Sequence, residues 1–342
     1  MRGYKGMMLV DGEDAYSEYG IFVQQYGYKA LIQQPSFKKL TSTEWLEYDG
    51  EEVDLTAPVL DTKSFSISFC MMNKRYAEDF FDLLSNGAYH TFYFADLKRS
   101  YKLRMTSNGT FSSCIKMGNL ALTFSQDDCS IPEAEPLDFG ASGVKQYGYE
   151  IDEIDLSQFG ANVLDGTDDN IRKAPSVRAN LSVSTADKNG VVYDDANVFF
   201  KTKDVTLKLL IRAENIDEFW ARWDALFCAL MQPEARRFYF NDTTSEYECY
   251  YKSNSVTKFD ILRNKHVWCE FSIVLTFTSS RPASSYMLLA TEDDDWVITE
   301  ESEDPARILI RPKSGISYLC MQDGSFVITE DEEGSRIYVN NV

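Results

Sequence analysis

Acid–base chemistry would have to begin at one of only two histidines, His90 and His266. His90 precedes the run Phe92-Tyr93-Phe94 and His266 sits beside Val267-Trp268, so both read as strand or strand-end residues. The chain has no Gly-x-Ser-x-Gly elbow, phosphate-binding loop or dinucleotide fingerprint. Asp165-Gly166-Thr167-Asp168-Asp169-Asn170 and Asp293-Asp294-Asp295 carry enough carboxylate to attract a cation. Neither has the calcium-loop spacing with its closing Glu, and both read as solvated turns. A pair of carboxylates could hydrolyse a glycosidic bond, but among 54 acidic residues a pair in sequence identifies nothing. The seven cysteines, Cys70, Cys114, Cys129, Cys228, Cys249, Cys269 and Cys320, are odd in number and scattered singly, without metal spacing. Cys70 and Cys228 lie among apolar neighbours and read as inert core thiols. The set fits folding in a reducing compartment. We therefore assign no catalytic, cofactor-binding or metal-ligating residue and expect no cofactor. Trp45 and Trp296, near acidic turns, are the tryptophans expected to be exposed, as a sugar platform would need. Trp220 and Trp223 belong to a helix's apolar face and to the core.

The elements that hold these residues occur twice. Thr202–Leu209 alternates polar and apolar residues, the period of a half-buried strand. Asn215, with Glu218 three residues on, opens a helix whose face carries Ile216, Phe219, Trp220, Trp223, Phe227 and Leu230, and Pro233 stops it. Phe238-Tyr239-Phe240 follows as an aromatic strand. The same order stands upstream: the strand Thr62–Phe69, a helix from Asn73 through Leu84 that Gly87 ends, and Phe92-Tyr93-Phe94. The strands are 140 residues apart and the triplets 146, so the second copy gained residues around its helix. Such a series in one order indicates a tandem duplication.

The rest of each copy follows. Val10-Asp11-Gly12, Tyr16–Gly20 and Ile21-Phe22-Val23 match Ile151-Asp152-Glu153, Leu156–Gly160 and Ala161–Leu164, each read as strand, tight turn, strand. Pro35-Ser36-Phe37 matches Pro175-Ser176-Val177, and Asp49-Gly50 matches Asn189-Gly190, both hairpin-turn signals. Two strands close each copy: Tyr101–Met105 with Leu120–Phe124, and Tyr247–Tyr251 with Ile273–Phe277. We expect a mainly β protein, with one helix per domain, as two tandem β-sandwich or barrel domains followed by a small hairpin region. The boundaries are 1–130 and 150–282 for the two domains, 131–149 for the linker and 283–342 for the hairpins. In that last region Trp296–Glu300 and Phe326–Glu330 repeat 30 residues apart. Each is followed by a short apolar strand, Ala306–Ile310 or Ser335–Val339.

Composition narrows the classes. With 44% hydrophobic and 14% aromatic residues the chain is globular and inclined to β structure. A formal net charge of −20 repels phosphate backbones, so nucleic-acid binding is not expected. No apolar run is long enough for a membrane span or a signal peptide, so synthesis in a cytoplasm is expected.

The opening Ile-Asp-x-x-Asp-Leu-Ser-x-Phe-Gly at Ile151–Gly160, with the strand, helix and Phe-Tyr-Phe order, resembles the distal tail proteins and tail-tube-type domains of long-tailed bacteriophages. The resemblance covers Val10–Phe124 and Ile151–Phe277. The first copy departs from the motif, with Ala15-Tyr16 where the second has Asp155-Leu156. The resemblance implies small β domains with one helix that assemble into six-fold rings around a tail channel, without catalytic residues. Its implied partners are further copies of the chain and other tail proteins, with assembly into a virion tail in a bacterial host. Two such domains per chain would fill a ring with three chains, giving a trimer with pseudo-six-fold symmetry; six chains with the second copy as decoration is the alternative. A carbohydrate-binding or adhesin-type β module, and a glycoside hydrolase on a β scaffold, are the competing functional readings.

Overall fold

The computed structural model describes residues 4–72, 74–114, 117–134, 148–187, 189–195, 197–240 and 245–279, with the short stretches 287–288, 309–311, 317–320 and 338–339. The protein is mainly β. A first unit runs β1 (Met8–Val10), β2 (Glu13–Asp14), α1 (Ala15–Tyr19), β3 (Ile21–Val23), α2 (Lys29–Ile32), β4 (Ser42–Thr43), β5 (Glu52–Val53), β6 (Lys63–Met71), α3 (Lys74–Leu84), β7 (Tyr89–Phe94), β8 (Arg99–Cys114) and β9 (Met117–Gln126). A second runs β10 (Tyr149–Ile151), β11 (Ile154–Asp155), a 3-10 turn (Leu156–Phe159), β12 (Ala161–Val163), α4 (Thr167–Arg172), β13 (Ser182–Val183), β14 (Val192–Tyr193), β15 (Lys203–Ala213), α5 (Ile216–Leu230), β16 (Arg236–Phe240), β17 (Ser245–Ile261) and β18 (Val267–Phe277).

Each unit forms one seven-stranded sheet, in the orders β2-β1-β7-β8-β9-β6-β3 and β11-β10-β16-β17-β18-β15-β12. Position by position the two orders coincide. Each unit also extends a two-stranded hairpin arm, β4–β5 or β13–β14. The isolated bridges Phe37↔Leu60 and Val177↔Phe200 close the arms at their bases.

Alternation puts one sheet face in the core. Along β6, Phe65, Ile67, Phe69 and Met71 are buried while Ser64 and Ser66 are exposed. Along β15, Val205, Leu207, Leu209 and Ile211 turn inward. The helix α5 lies against this face through Phe219, Trp223 and Phe227, and Trp223 meets Phe271 of β18 edge-on at 4.8 Å. Its start keeps the expected cap, with Asn215 Oδ1 accepting from the Glu218 amide at 3.0 Å, while the Glu218 carboxylate accepts from the amide of Glu214, one residue before the cap, at 2.6 Å.

Several expectations need correction. The segments read as tight turns are a short helix, α1, and a 3-10 turn. Gly20 and Gly160 close them in the left-handed region, a conformation glycine adopts without steric cost. Short helices α2 and α4 join the one expected in each unit. Strands β8 and β17 run 16 and 17 residues, well beyond the five predicted. Their polar halves escape the period-two pattern because register shifts break the alternation, at Met105/Ser107 in β8 and Tyr251/Ser253 in β17. Phe124 lies opposite Phe65 and Leu275 opposite Val205, so Phe124 matches Leu275 and not Phe277. A period-two pattern is unchanged by a slip of two residues, and only the ladder fixes the register. The opening motif shifts similarly. Asp14 pairs with Leu9 as Asp155 pairs with Glu150, which puts the motif Asp in the first unit at Asp14. Among the described residues the buried thiols are Cys249 and Cys269, in the second unit, whereas Cys70 and Cys228 are half-exposed. Asn73, the repeat at Trp296–Glu300 and Phe326–Glu330, and the cluster Asp293–Asp295 lie outside the described residues. The described part of the C-terminal region is a four-stranded sheet, Met287–Leu288, Leu309–Arg311, Ser317–Cys320 and Tyr338–Val339.

Candidate functional site

The residue types that could do chemistry are tied into the scaffold. His90 is buried, with Nδ1 2.6 Å from Asp11 Oδ2, and the Thr91 amide donates to Asp11 Oδ1 at 2.8 Å. Burial would raise the Asp11 carboxyl, but the His90 and Thr91 hydrogen bonds hold it below the usual carboxylate range. The second unit repeats this fastening at Asp152, where Arg236 Nη1 at 2.7 Å replaces the imidazole and the Arg237 amide donates at 2.8 Å. An arginine cannot serve as a base near neutral pH, so the shared role is to pin the β1–β7 and β10–β16 ends. His266 follows the β17–β18 turn and donates its backbone amide to Asn264.

Lys63 looks reactive. Burial lowers its pKa to about 7, and Cys129 lines the same 280 Å³ cleft. Its Nζ donates to the Leu31 carbonyl in α2 at 2.7 Å. Lys203 donates to the Ile171 carbonyl in α4 in the same way, so each lysine anchors a short helix to its sheet. Asp165–Asn170 is not a solvated turn but enters α4. Asn170 donates to the Gly166 and Thr206 carbonyls, and Asp168 accepts from the Tyr149 hydroxyl. Among the described residues no group of three His, Cys, Asp or Glu side chains could hold a metal ion. Burial raises the Asp224 carboxyl against the opposing pull of Arg99. Its partner is that guanidinium, not the second carboxylate a glycosidase needs. Trp45 is 52% exposed, with Nε1 donating to Glu52, whereas Trp220 and Trp223 are buried.

What the fold does build is a seam between the units. The first unit reaches across with α2 and its arm. Lys29 Nζ donates to the Thr257 carbonyl at 2.6 Å, Gln33 Nε2 to the Asn254 carbonyl at 2.7 Å, and the Gln34 amide to Asn254 Oδ1 at 3.0 Å. Phe37 sits edge-on to Tyr251 at 5.8 Å. At the far end of the arm the Gly50 amide donates to the Phe200 carbonyl at 2.9 Å and the Glu51 amide to the Thr278 carbonyl at 3.0 Å. The Phe200 amide donates to Asp49 at 2.8 Å, and buried Arg178 binds both the Gly50 carbonyl and Glu44. The second unit answers with α5. Trp220 Nε1 donates to the Leu97 carbonyl at 2.7 Å, Arg99 stacks on the Trp220 ring at 3.6 Å and pairs with Asp224, and Lys98 pairs with Asp217.

The docking is head to tail. The first unit contributes α2, the arm and the β7–β8 turn; the second contributes α5, β17, the end of β18 and the base of its own arm at Arg178 and Phe200. No protein-family profile matches the chain, and no curated protein sequence does. A search of solved structures finds the Dit protein of phage SPP1, described as a paradigm of the hub adsorption apparatus in phages that infect Gram-positive bacteria. It is 12% identical, covers 79% of this chain and 98% of that one, and has a TM-score of 0.29. A score that low carries no weight for function, and the geometry of the seam stands by itself.

Sequence reasoning missed this seam. Trp220 is core, as its place on the helix face indicates, but its indole also reaches the other unit. The available signal was the Asp49-Gly50 pair, read only as a turn. Gly50 has φ +78, and a Cβ there would lie 1.7 Å from the Thr278 carbonyl oxygen.

Proposed function

We propose that the chain is a non-enzymatic structural component of a phage tail, or of a prophage-derived particle, that closes into a ring by self-association. One observation carries this reading: two units of the same strand order dock through different surfaces. A heterologous contact of that kind leaves one donor surface and one acceptor surface unused at the two ends of the pair, and repetition generates a ring where the rotation closes. The opening motif at Ile151–Gly160 and the strand, helix and aromatic-strand order supply the phage-tail assignment. Three chains, each a tandem duplicate, make a ring of six units around a channel, and other tail proteins stack on its faces. The domain boundaries proposed from sequence, 1–130 and 150–282, suit this scheme. The 131–149 linker runs one residue into β10, which begins at Tyr149.

Light scattering across a concentration series tests the assembly. The chain is 39.1 kDa, so a trimer has a mass of about 117 kDa. Electron micrographs of that species should show six lobes around a central channel. A mass of 39.1 kDa at every concentration, or a closed dimer, refutes the ring. The carbohydrate-binding reading keeps one observation in its favour, the exposed ring of Trp45. Binding of a glycan array that is lost in Trp45→Ala would establish it.

A further inference from the structure

We infer that the β13–β14 arm of one chain is the connector to the next chain, docking on the first unit of a second copy as the β4–β5 arm docks on the second unit within the chain. The inference rests on the ring reading and names its contact. The equivalence of the arms is fixed by register: Ser42↔Val53 and Thr43↔Glu52 in one, Ser182↔Tyr193 and Val183↔Val192 in the other. Every position is offset by 140 residues, including the basal bridges Phe37↔Leu60 and Val177↔Phe200.

The two arms differ in what covers them. Gly50 and Leu55 of the first arm are buried against the second unit, and Pro35 at its root is buried too. At the equivalent positions of the second arm, Gly190 and Asp195 are exposed and Pro175 is half-buried. The uncovered arm is nonetheless the more apolar along its strands. Leu181 stands where the first arm has Thr41, Val183 replaces Thr43, Val191 replaces Glu51, Val192 replaces Glu52 and Tyr193 replaces Val53. All five are exposed, Leu181 by 70% and Val192 by 65%. An exposed two-stranded ribbon with this many apolar side chains exposes unpaired strand edges and hydrophobic surface to water. In the docked first arm Glu51 and Val53 are half-buried while Thr41, Thr43 and Glu52 stay exposed, so the same docking covers Val191 and Tyr193. The second arm must associate between chains, where burial of apolar surface supplies the driving force.

The acceptor is given by the same equivalence. Tyr251 corresponds to Met105 and Thr278 to Asp127, on the β8–β9 face of the first unit. Met105 is half-buried where Tyr251, under Phe37, is fully buried. On this geometry Val177 of one chain lies over Met105 of the next, and the Val191 amide donates to the Asp127 carbonyl.

The test uses the full chain in two ways. The variant V191E/V192E installs the residues the first arm already carries at those positions, so folding is expected to be intact, with circular dichroism as the check. Its mass by light scattering should fall from about 117 kDa to 39.1 kDa. The pair M105C with V177C, treated with a short bis-maleimide, should give a covalent series ending at the trimer, while neither single variant does so above the background of the native cysteines. If the parent is a trimer but V191E/V192E is too, and the pair gives no series, the arm assignment is overturned and the ring reading stands. If the parent stays a monomer and the pair does not crosslink, both are overturned.

Discussion

Replacement of Gly50 by alanine should detach the first arm from the second unit. Two effects add. The residue sits at φ +78, where a Cβ costs roughly 1 kcal/mol. The larger effect is contact. The new Cβ would lie 1.7 Å from the Thr278 carbonyl oxygen, 2.8 Å from its carbon and 3.0 Å from Ser279 Cα, whereas ordinary contact begins near 3.4 Å. All three atoms are backbone, so no side-chain rotation relieves the clash. A retreat of about 1.7 Å breaks hydrogen bonds that are now 2.9 and 3.0 Å long, from Gly50 to Phe200 and from Glu51 to Thr278. The Asp49–Phe200 and Arg178–Gly50 bonds go with them. At about 1 kcal/mol each, the four bonds set a loss of about 4 kcal/mol, limited by the free energy of docking the arm. Gly190→Ala is the control. It shares the left-handed backbone at φ +84 but has no atom within 4 Å of the added carbon, so in the monomer it should cost only about 1 kcal/mol. Urea unfolding of both variants reads the difference, and limited trypsin digestion at Lys38 and Lys39 reads release of the arm. Equal destabilisation of the two variants, with the arm equally protected, would refute the docking of Gly50 against Thr278.

Other consequences can be measured on the same protein. Lys63 has its folded pKa lowered from 10.5 to about 7, so between those values the unfolded chain binds more protons and stability rises with pH. The gain from pH 7 to pH 9 is about 2 kcal/mol; Lys63→Met should remove it, and an unchanged pH slope in urea titrations would contradict the burial argument. Trp220→Ala removes a buried ring, its bond to Leu97 and the Arg99 stack, and should cost about 3–5 kcal/mol by thermal or urea unfolding, where an intra-unit surface residue would cost well under 1. Asn215→Ala should lower stability by about 1 kcal/mol through loss of the α5 cap, while Asn215→Asp should retain most of it.

Much of the fold was legible in the chain because it follows from local chemistry. The alternation in Lys203–Ala213 and Lys63–Met71 dictates half-buried strands, and Asn215 with Glu218 dictates where α5 begins. Because these patterns recur in one order, the two like units were legible as well. Register was not, since Phe124 could pair with one residue or its neighbour two away without changing any face. The true lengths of β8 and β17 were hidden by polar residues at bulges, where the ladder persists but the pattern fails.

The candidate site was beyond local reasoning for a physical reason. A contact between units joins residues such as Trp220 and Leu97, 123 positions apart, and no periodicity records which apolar residue faces its own sheet and which a neighbour's turn. His90 shows the converse. Its neighbours mark it as a strand residue, and only its equivalence in space to Arg236 shows that it serves as a fastening. The sequence by itself determined the long strands, the start of α5, the duplication and the lack of catalytic motifs, because these depend on neighbours along the chain. Tertiary structure alone decided register, the head-to-tail seam and which arm is left uncovered, because these depend on which surfaces meet once both units have folded.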